Sequence, residues 1–334
     1  MPRSIGGMAE SWTTRRLRAW IAGFLGERGV QAPGLCADLL LGHVLGCDRM
    51  ALYMHADRPA SPDELAQLRA LVRRAGDHEP VQYLVGKWGF HGCELELDRS
   101  TLIPRPCTET LVDAALAHLR ERGLLDQGTG CPIRALDLCT GSGCIAIAIA
   151  RGIHAARRGR RALAWSAADA QPEGSGDSHA HAASAPVRII AIDIVPAAAE
   201  LARRNVQRLG LAASVDVRIG DLDAALQHGD TRAGFDLICA NPPYVTSAEW
   251  EALDRNVREY EPRSALEGGA DGLDVVRRVV AAAPGLLAPG GALLCEIGCA
   301  QGDAAVALAH AAGFAGASVL TDHEGLPRVL RALP

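Results

Sequence analysis

An apolar run, Ile133–Leu138, leads directly into Asp137-Leu-Cys139-Thr140-Gly141-Ser142-Gly143-Cys-Ile-Ala146, and a second apolar run, Ile145–Ala150, follows. A strand, a glycine turn and a helix form the first half of a βαβ unit. A chain that begins one must bury a parallel sheet between helices. The rhythm continues with apolar segments at Arg188–Ile194, Ala197–Leu209, Val215–Gly220, Phe235–Ala240 and Ala292–Ile297. Ala317–Thr321 and Arg328–Leu333 read as two closing strands joined by Asp322–Pro327.

Upstream the pattern is different. Residues 12–85 carry apolar side chains at helical spacing, over Trp12–Leu25, Cys36–Leu45 and Leu65–Val72. Ser61-Pro62-Asp63-Glu64 is a helix start, with serine as the cap and glutamate at the capping-box position. Trp88–Leu97 alternates and contains Gly89 and Gly92, which predicts a short hairpin. The expected organisation is a helical domain over 1–85, a hairpin linker over 86–98 and an α/β domain over 99–334. Within the last, 152–186 is rich in Ala, Arg, Ser, Gly and His and reads as a flexible surface insertion. His179 and His181 lie in it at a spacing of two, without cysteines or carboxylates arranged around them as a metal site needs, and read as solvated side chains.

Bulk properties narrow the function classes. The net charge of −5 over 334 residues argues against a protein that holds nucleic acid through phosphate contacts. The 10 cysteines include no CxxC pair, so zinc spacing is absent and reduced thiols in a cytoplasmic protein are expected. No metal is expected. Residues 1–11 show no charged region followed by an apolar run, so no signal peptide is expected, and no uninterrupted apolar stretch predicts a membrane span.

In open α/β sheets, ligands bind at the carboxyl ends of the strands, so those ends carry the candidate chemistry. The glycine turn, with Cys139, Thr140, Gly141, Ser142 and Gly143, allows close approach of backbone to a ligand. The next strand ends at Asp193, whose carboxylate can accept from both hydroxyls of a ribose. Asp193 lies 52 residues after Gly141 where about 20 is usual, and the insertion accounts for the excess. The third strand ends at Asp221-Leu222, a carboxylate for an adenine amino group beside an apolar side chain for its ring. To this point NAD and S-adenosylmethionine both fit.

The fourth strand separates them. Phe235–Ala240 runs into Asn241-Pro242-Pro243-Tyr244. Proline locks the backbone and removes donors, which leaves carbonyl acceptors exposed. The Asn241 side-chain oxygen and the Pro242 carbonyl can accept both hydrogens of a planar NH2 group, with Tyr244 packed on its face. An amide or aryl-amine nitrogen is a poor nucleophile. Two acceptors aim it at an electrophilic methyl group and stabilise the charge that grows on it during transfer.

These residues, together with Leu102-Ile-Pro-Arg105-Pro-Cys-Thr-Glu109, resemble the release-factor glutamine N5-methyltransferase family (PrmC, also called HemK). Further similar segments are Cys36-Ala-Asp-Leu-Leu-Leu, Glu79-Pro-Val-Gln-Tyr-Leu, Glu261-Pro-Arg-Ser-Ala-Leu266, Asp271-Gly-Leu273, Glu296-Ile-Gly298 and Gln301, so the resemblance covers nearly the whole chain. It implies a class I S-adenosylmethionine methyltransferase fold, Rossmann-like with a mainly parallel seven-stranded sheet, and an N-terminal helical substrate-recognition domain. It implies S-adenosyl-L-methionine as cofactor, held by residues 139–143, Asp193, Asp221, Leu222 and Asn241. It implies class 1 peptide-chain release factors as the protein partner, methylated on the glutamine of their Gly-Gly-Gln motif. Asn241, Pro242, Pro243 and Tyr244 would bind that glutamine. Arg105 would lie near the site, either touching substrate or serving as an ion-pair partner. Cys139 stands where the family usually has glycine, which leads to the expectation that the backbone there does not need φ > 0. The stretch from Cys139 to Ala146 is also close to the form of a sister family that methylates a glutamine of ribosomal protein L3. The same four-residue turn can present an adenine amino group for N6-methylation, but the acidic balance and the helical N-terminal region argue against nucleic acid.

Overall fold

The computed structural model describes residues 11–125, 132–157 and 186–334. The chain divides into two compact units, one of residues up to 86 together with 254–260, the other of 87–253 with 261–334. No helix among the described residues is long and apolar enough to cross a membrane.

The smaller unit is helical: α1 (Thr14–Glu27), α2 (Pro33–Leu45), α3 (Arg49–Met54), α4 (Pro62–Gly76) and α5 (Val81–Val85). Each long helix contributes one apolar stripe, and Leu17, Ile21, Leu25, Leu40, Leu41, Leu68 and Val72 form a common core. Ser61 and Glu64 make the reciprocal capping box that starts α4. The helices α3 and α5 are too short to show a period, which is why the sequence pattern does not reveal them. Buried Asp38 on α2 accepts from Arg18 Nε at 2.5 Å and Arg49 Nε at 2.9 Å, so the carboxylate is paired on both oxygens. The short segment 254–260 belongs to this unit through Gln31 Nε2 donating to Asp254 Oδ2 at 2.9 Å and Tyr260 Oη donating to the Asp77 carbonyl at 2.9 Å.

The larger unit opens with the hairpin of β1 (Lys87–Phe90) and β2 (Cys93–Glu96), followed by α6 (Glu109–Glu121). A seven-stranded sheet follows: β3 (Ile133–Leu138), β4 (Val187–Asp193), β5 (Val215–Ile219), β6 (Phe235–Ala240), β7 (Leu287–Glu296), β8 (Gly316–Thr321) and β9 (Pro327–Leu333). The spatial order is β5-β4-β3-β6-β7-β9-β8. The first five strands are parallel, and the β8–β9 pair closes one edge, with β9 antiparallel to β7. The sheet is mainly parallel and seven-stranded, as the sequence leads one to expect, and apolar clusters cover both of its faces.

Two crossover helices locate the site. One is α7 (Cys144–Arg157), which starts from the glycine turn; the other is α8 (Pro196–Arg208), which follows β4. The composition of 152–157 suggests a surface insertion, and the structure corrects this. Ile149 and Ile153 extend the apolar stripe of α7, and Gly152 lets the helix press on Leu116 of α6. The polar composition masks one more helical turn because only one face is buried. Residues 158–185, including His179 and His181, fall outside the described residues.

Asn205 on α8 ties three segments together and is fully buried. Its Oδ1 accepts from Glu96 N at 2.7 Å, while Nδ2 donates to the Glu96 and Ser142 carbonyls, each at 3.0 Å. The hairpin, the glycine turn and the second crossover helix are thus locked by one amide whose bonding capacity is nearly exhausted.

Candidate active site

The order of strand addition reverses between β3 and β6, and pairing there is in register to the last residue, with Leu138 opposite Ala240. The next residues on the two strands are therefore Cys139 and Asn241, side by side. On one flank Leu138 pairs with Ile192, which places Asp193 beside the turn. On the other, Ala240 pairs with Cys295, which places Glu296 beside Asn241. Asp193 pairs with Ile219, and Gly220 and Asp221 follow. Five strand ends thus form one row, the position at which open α/β sheets bind ligands.

A cleft runs along this row. Cys139, Thr140, Gly141, Ser142, Asp193, Asp221, Leu222, Asn241 and Pro243 all line it. Four expected site residues, Gly143, Pro242, Tyr244 and Arg105, are not among its lining residues. Leu102, Pro104, Thr108, Ile194, Ser264, Ala265, Val275 and Arg278 also line it, and strand-end reasoning does not single these out.

The two glycines of the turn do different work. Gly141 has φ +55°, and a Cβ there would approach only Thr101 Cβ, at 3.9 Å, so its freedom serves the backbone turn and the open cleft. Gly143 has φ +83°, and its Cβ would meet Ala202 Cβ and Ile147 Cδ1, each at 3.3 Å, so it serves helix packing. Asp193 holds the turn: Oδ2 accepts from Gly141 N at 2.8 Å and Oδ1 accepts from Val195 N at 2.9 Å. Each of its oxygens keeps a second acceptor position, and burial raises its pKa against those two bonds. Asp221 Oδ2 accepts from Arg278 Nη2 at 2.8 Å, an exposed pair at the cleft.

Asp137 sits beneath the turn and is 1% exposed. Its Oδ2 accepts from Thr140 Oγ1 at 2.5 Å and from Ala146 N at 3.1 Å, and among the described residues Oδ1 has no partner. Burial pushes its carboxyl up to about 7, opposed by those two bonds.

At the end of β6, Asn241 Nδ2 donates to Thr108 Oγ1 at 3.3 Å. That bond leaves Oδ1 as the free end of the amide, and among the described residues neither Oδ1 nor the Pro242 carbonyl accepts a hydrogen bond. Tyr244 turns its hydroxyl inward and donates to Oε1 of fully buried Glu296 at 3.1 Å. The turn is braced from behind. Val245 N donates to the Leu266 carbonyl, and Gly268 N donates to the Val245 carbonyl, both at 2.8 Å. Gln301 Nε2 donates to the Tyr244 carbonyl at 3.0 Å, while its Oε1 accepts from Gly298 N at 2.8 Å. Side chains at Gly268 or Gly272 would collide with the Pro243 and Tyr244 carbonyls, so these two positions must be glycine for the loop to sit against the turn.

Residues 16–86 match the family model described as the PrmC N-terminal domain. The chain is 37% identical to the release factor glutamine methyltransferase of Geobacter sulfurreducens, over 96% of this chain and 96% of that protein. It is 38% identical to the enzyme of the same name from Rhodospirillum rubrum, over 91% of this chain and 80% of that one. The chain belongs to the release factor glutamine methyltransferase family. Among solved structures, it is similar to a release factor-specific protein-(glutamine-N5) methyltransferase from Alicyclobacillus acidocaldarius, at 24% identity and TM-score 0.35, over 72% of this chain and 100% of that one.

Within this methyltransferase, two expectations need restating. The sequence suggests that Cys139 needs no positive φ, but its backbone lies at φ +59°. The tight turn demands the left-handed conformation whichever residue occupies the position, and a Cβ there costs about 1–2 kcal/mol. The Cys139 side chain packs against the core cluster on one face of the sheet, which offsets part of that cost. Leu222 is a second non-glycine residue at the cleft with positive φ, +52°. Arg105, read as either a substrate contact or an ion-pair partner, donates through Nη2 to Glu261 Oε1 at 2.5 Å. Glu261 Oε2 accepts from Ile103 N at 3.1 Å, so this buried carboxylate staples the 102–105 segment to the 261–265 segment, and both line the cleft.

Two measurements check the strained turn and the buried carboxyl beneath it. In urea unfolding, Cys139→Gly is expected to stay within about 1 kcal/mol of the parent, because relief at φ > 0 offsets lost packing and added chain entropy. Cys139→Val is expected to cost about 2 kcal/mol or more, since β-branching is poorly tolerated there; equal stabilities would contradict the strained turn. The second measurement concerns pH. The folded-state pKa of Asp137 is raised above its unfolded value, to about 7. Between about pH 4 and about pH 7 the native state therefore holds a proton that the unfolded chain releases. Relative to Asp137→Asn, the unliganded parent is expected to lose stability as pH rises from about 4 to 7, by at most about 1.4 kcal/mol per pH unit, and to lose no more above that. A stability difference independent of pH across that window would contradict it.

Proposed function

We propose that this enzyme uses S-adenosyl-L-methionine to methylate the side-chain nitrogen of the glutamine in the Gly-Gly-Gln motif of class 1 release factors. The observation that carries the reading is the pair of unengaged acceptors, Asn241 Oδ1 and the Pro242 carbonyl, next to the glycine turn at the end of the sheet. Two acceptors and no donor suit a substrate group with two hydrogens to give, which is the NH2 of a carboxamide.

The cleft suits the cofactor. Two carboxylates, Asp193 and Asp221, stand on neighbouring strand ends, one for a diol and one for an amino group. Ile194, Leu222 and Val275 supply apolar walls. Ile194 is 61% exposed, an apolar side chain in want of a cover such as a purine ring. Gly141 leaves the backbone of the turn bare toward the cleft. When bound, the cofactor supplies an electrophilic methyl group on a sulfonium centre, which retains the electron pair of the C–S bond. Asn241 and Pro242 hold both hydrogens of the amide, fix its plane and favour positive charge on its nitrogen. Loss of one hydrogen as a proton to water afterwards needs no side-chain base, because an N-alkylated amide cation is a strong acid. Tyr244, with its hydroxyl held by Glu296, presents a ring of fixed orientation to the bound group.

The helical unit is proposed to recognise the release factor, in keeping with its match to the PrmC N-terminal domain. A cytoplasmic location follows from the proposed substrate. Incubation with methyl-labelled cofactor and a purified release factor is expected to place label on the Gly-Gly-Gln glutamine. Label on ribosomal protein L3 alone, or on RNA or DNA alone, would overturn the proposal. Asn241→Ala is expected to lower kcat by about 100-fold or more while changing cofactor Kd far less, as for an interaction made in the transition state. Equal losses in both would mean that Asn241 is not the transition-state acceptor.

A further inference from the structure

Asp221 directly precedes a short 3-10 helix, Leu222–Ala225, where an aspartate ordinarily turns its carboxylate back onto the first amides of the helix. Here it does not. The side chain makes no cap hydrogen bond, and the residue lines the cleft instead. The local turn therefore does not direct this carboxylate.

Arg278 directs it from 57 positions away, with Nη2 donating to Asp221 Oδ2 at 2.8 Å. Arg278 belongs to the helix Asp274–Ala282, whose buried Val276, Val279 and Val280 join the core on one face of the sheet and so fix its rotation. That rotation brings Val275 and Arg278, three residues apart on one helix face, to the cleft. Among the described residues that line the cleft, Arg278 is the one basic side chain. Both partners of the pair are about half exposed, and an ion pair so exposed contributes little to stability. Its effect is directional. A carboxylate with one oxygen taken by a guanidinium cannot swing freely, and Oδ1, which has no donor among the described residues, is left as the acceptor.

The direction matters for the choice of base. A 6-aminopurine and a 6-oxopurine share one ring shape but have opposite polarity at position 6, where the amino group donates and the oxo group accepts. The adjoining nitrogen changes in the other sense, from acceptor to donor. The apolar walls at Ile194, Leu222 and Val275 cannot tell the two rings apart. A carboxylate oxygen held in one place can, because it meets either a donor or another acceptor. A carboxylate free to turn can leave the oxo group and accept from the neighbouring ring N–H instead.

We propose that Arg278 is a specificity-determining residue for the cofactor, holding Asp221 by one oxygen so that the other selects a purine with a 6-amino group. The inference rests on the assignment of S-adenosyl-L-methionine to this cleft. Arg278 acts through Asp221 in this role and makes no hydrogen bond to the base.

The test is calorimetric binding of two ligands, S-adenosylhomocysteine and its 6-oxo counterpart S-inosylhomocysteine. The proteins compared are the parent, Arg278→Met, Asp221→Asn and the double variant Asp221→Asn/Arg278→Met. The parent is expected to prefer the adenosyl ligand by about 30-fold or more, because the 6-oxo group leaves a charged acceptor facing another acceptor. Arg278→Met keeps an apolar stem and removes the guanidinium, and it is expected to lower that preference by about fivefold or more. Asp221→Asn can turn its NH2 group toward the oxo group and is expected to bring the two affinities within about threefold. The double variant is expected to show the preference of Asp221→Asn, because Arg278 acts only through that carboxylate. If Arg278→Met does not fold, Arg278→Ala takes its place. Equal weakening of both ligands in Arg278→Met, with the preference unchanged, marks stacking on the ring or general support of the cleft and overturns the inference. A parent that binds S-adenosylhomocysteine without preference over the 6-oxo ligand also overturns it. Both of these results leave the proposed function standing. A parent that binds neither ligand overturns the cofactor assignment, and the proposed function falls with it.

Discussion

The pairing of Leu138 with Ala240 is the constraint on which the site depends. Parallel strands in register must end together, and these two belong to opposite halves of the sheet. Their junction puts the glycine turn and the Asn-Pro-Pro-Tyr turn side by side without any side chain having to arrange it. A slip by one residue would reverse every inward side chain of β6 and send Phe235, Leu237 and Cys239 to the wrong faces. The buried faces therefore enforce the register, and the register enforces the site.

Holding the turns in shape is a separate task, given to buried polar groups. Asp193 binds the glycine turn by the Gly141 amide, Asn205 binds it by a carbonyl, and Asp137 binds its threonine and the first turn of α7. The proline turn is held by Gln301 and by the loop at Gly268 and Gly272. Glu261 fixes the two segments that line the cleft, through Arg105 and the Ile103 amide. Each of these groups would be costly to bury alone, and each becomes favourable because it satisfies backbone donors or acceptors that the turns leave open. Preorganisation of this kind lets acceptors at Asn241 act without rearrangement when charge develops.

Much of this is legible in the sequence. The central strands β3 and β6 are visible because each is a short apolar run whose faces are both buried, and their ends can be read to the residue. The helices α3, α5 and α6 do not stand out, because the first two are too short for a period and α6 lies in a stretch dominated by its proline-rich entry. Site residues adjacent in sequence to a glycine or proline turn can be named. Thr108, Asn205 and Arg278 cannot be placed, because their roles arise from approaches across more than 50 positions of sequence. Glu296, Glu261 and Gln301 stand within segments that resemble the family, yet their tasks emerge only with burial and partners known. At Cys139 the residue type argues for an ordinary backbone, and the closure of the turn overrides it.

Everything proposed for catalysis turns on Asn241 meeting the substrate nitrogen through its oxygen. A crystal structure of the enzyme with S-adenosylhomocysteine and a Gly-Gly-Gln peptide would show that contact. The glutamine Nε2 is expected within hydrogen-bond distance of both Asn241 Oδ1 and the Pro242 carbonyl, with Asn241 Nδ2 still on Thr108. A glutamine amide bound elsewhere in the cleft, or one whose oxygen rather than nitrogen faces Asn241, would contradict it.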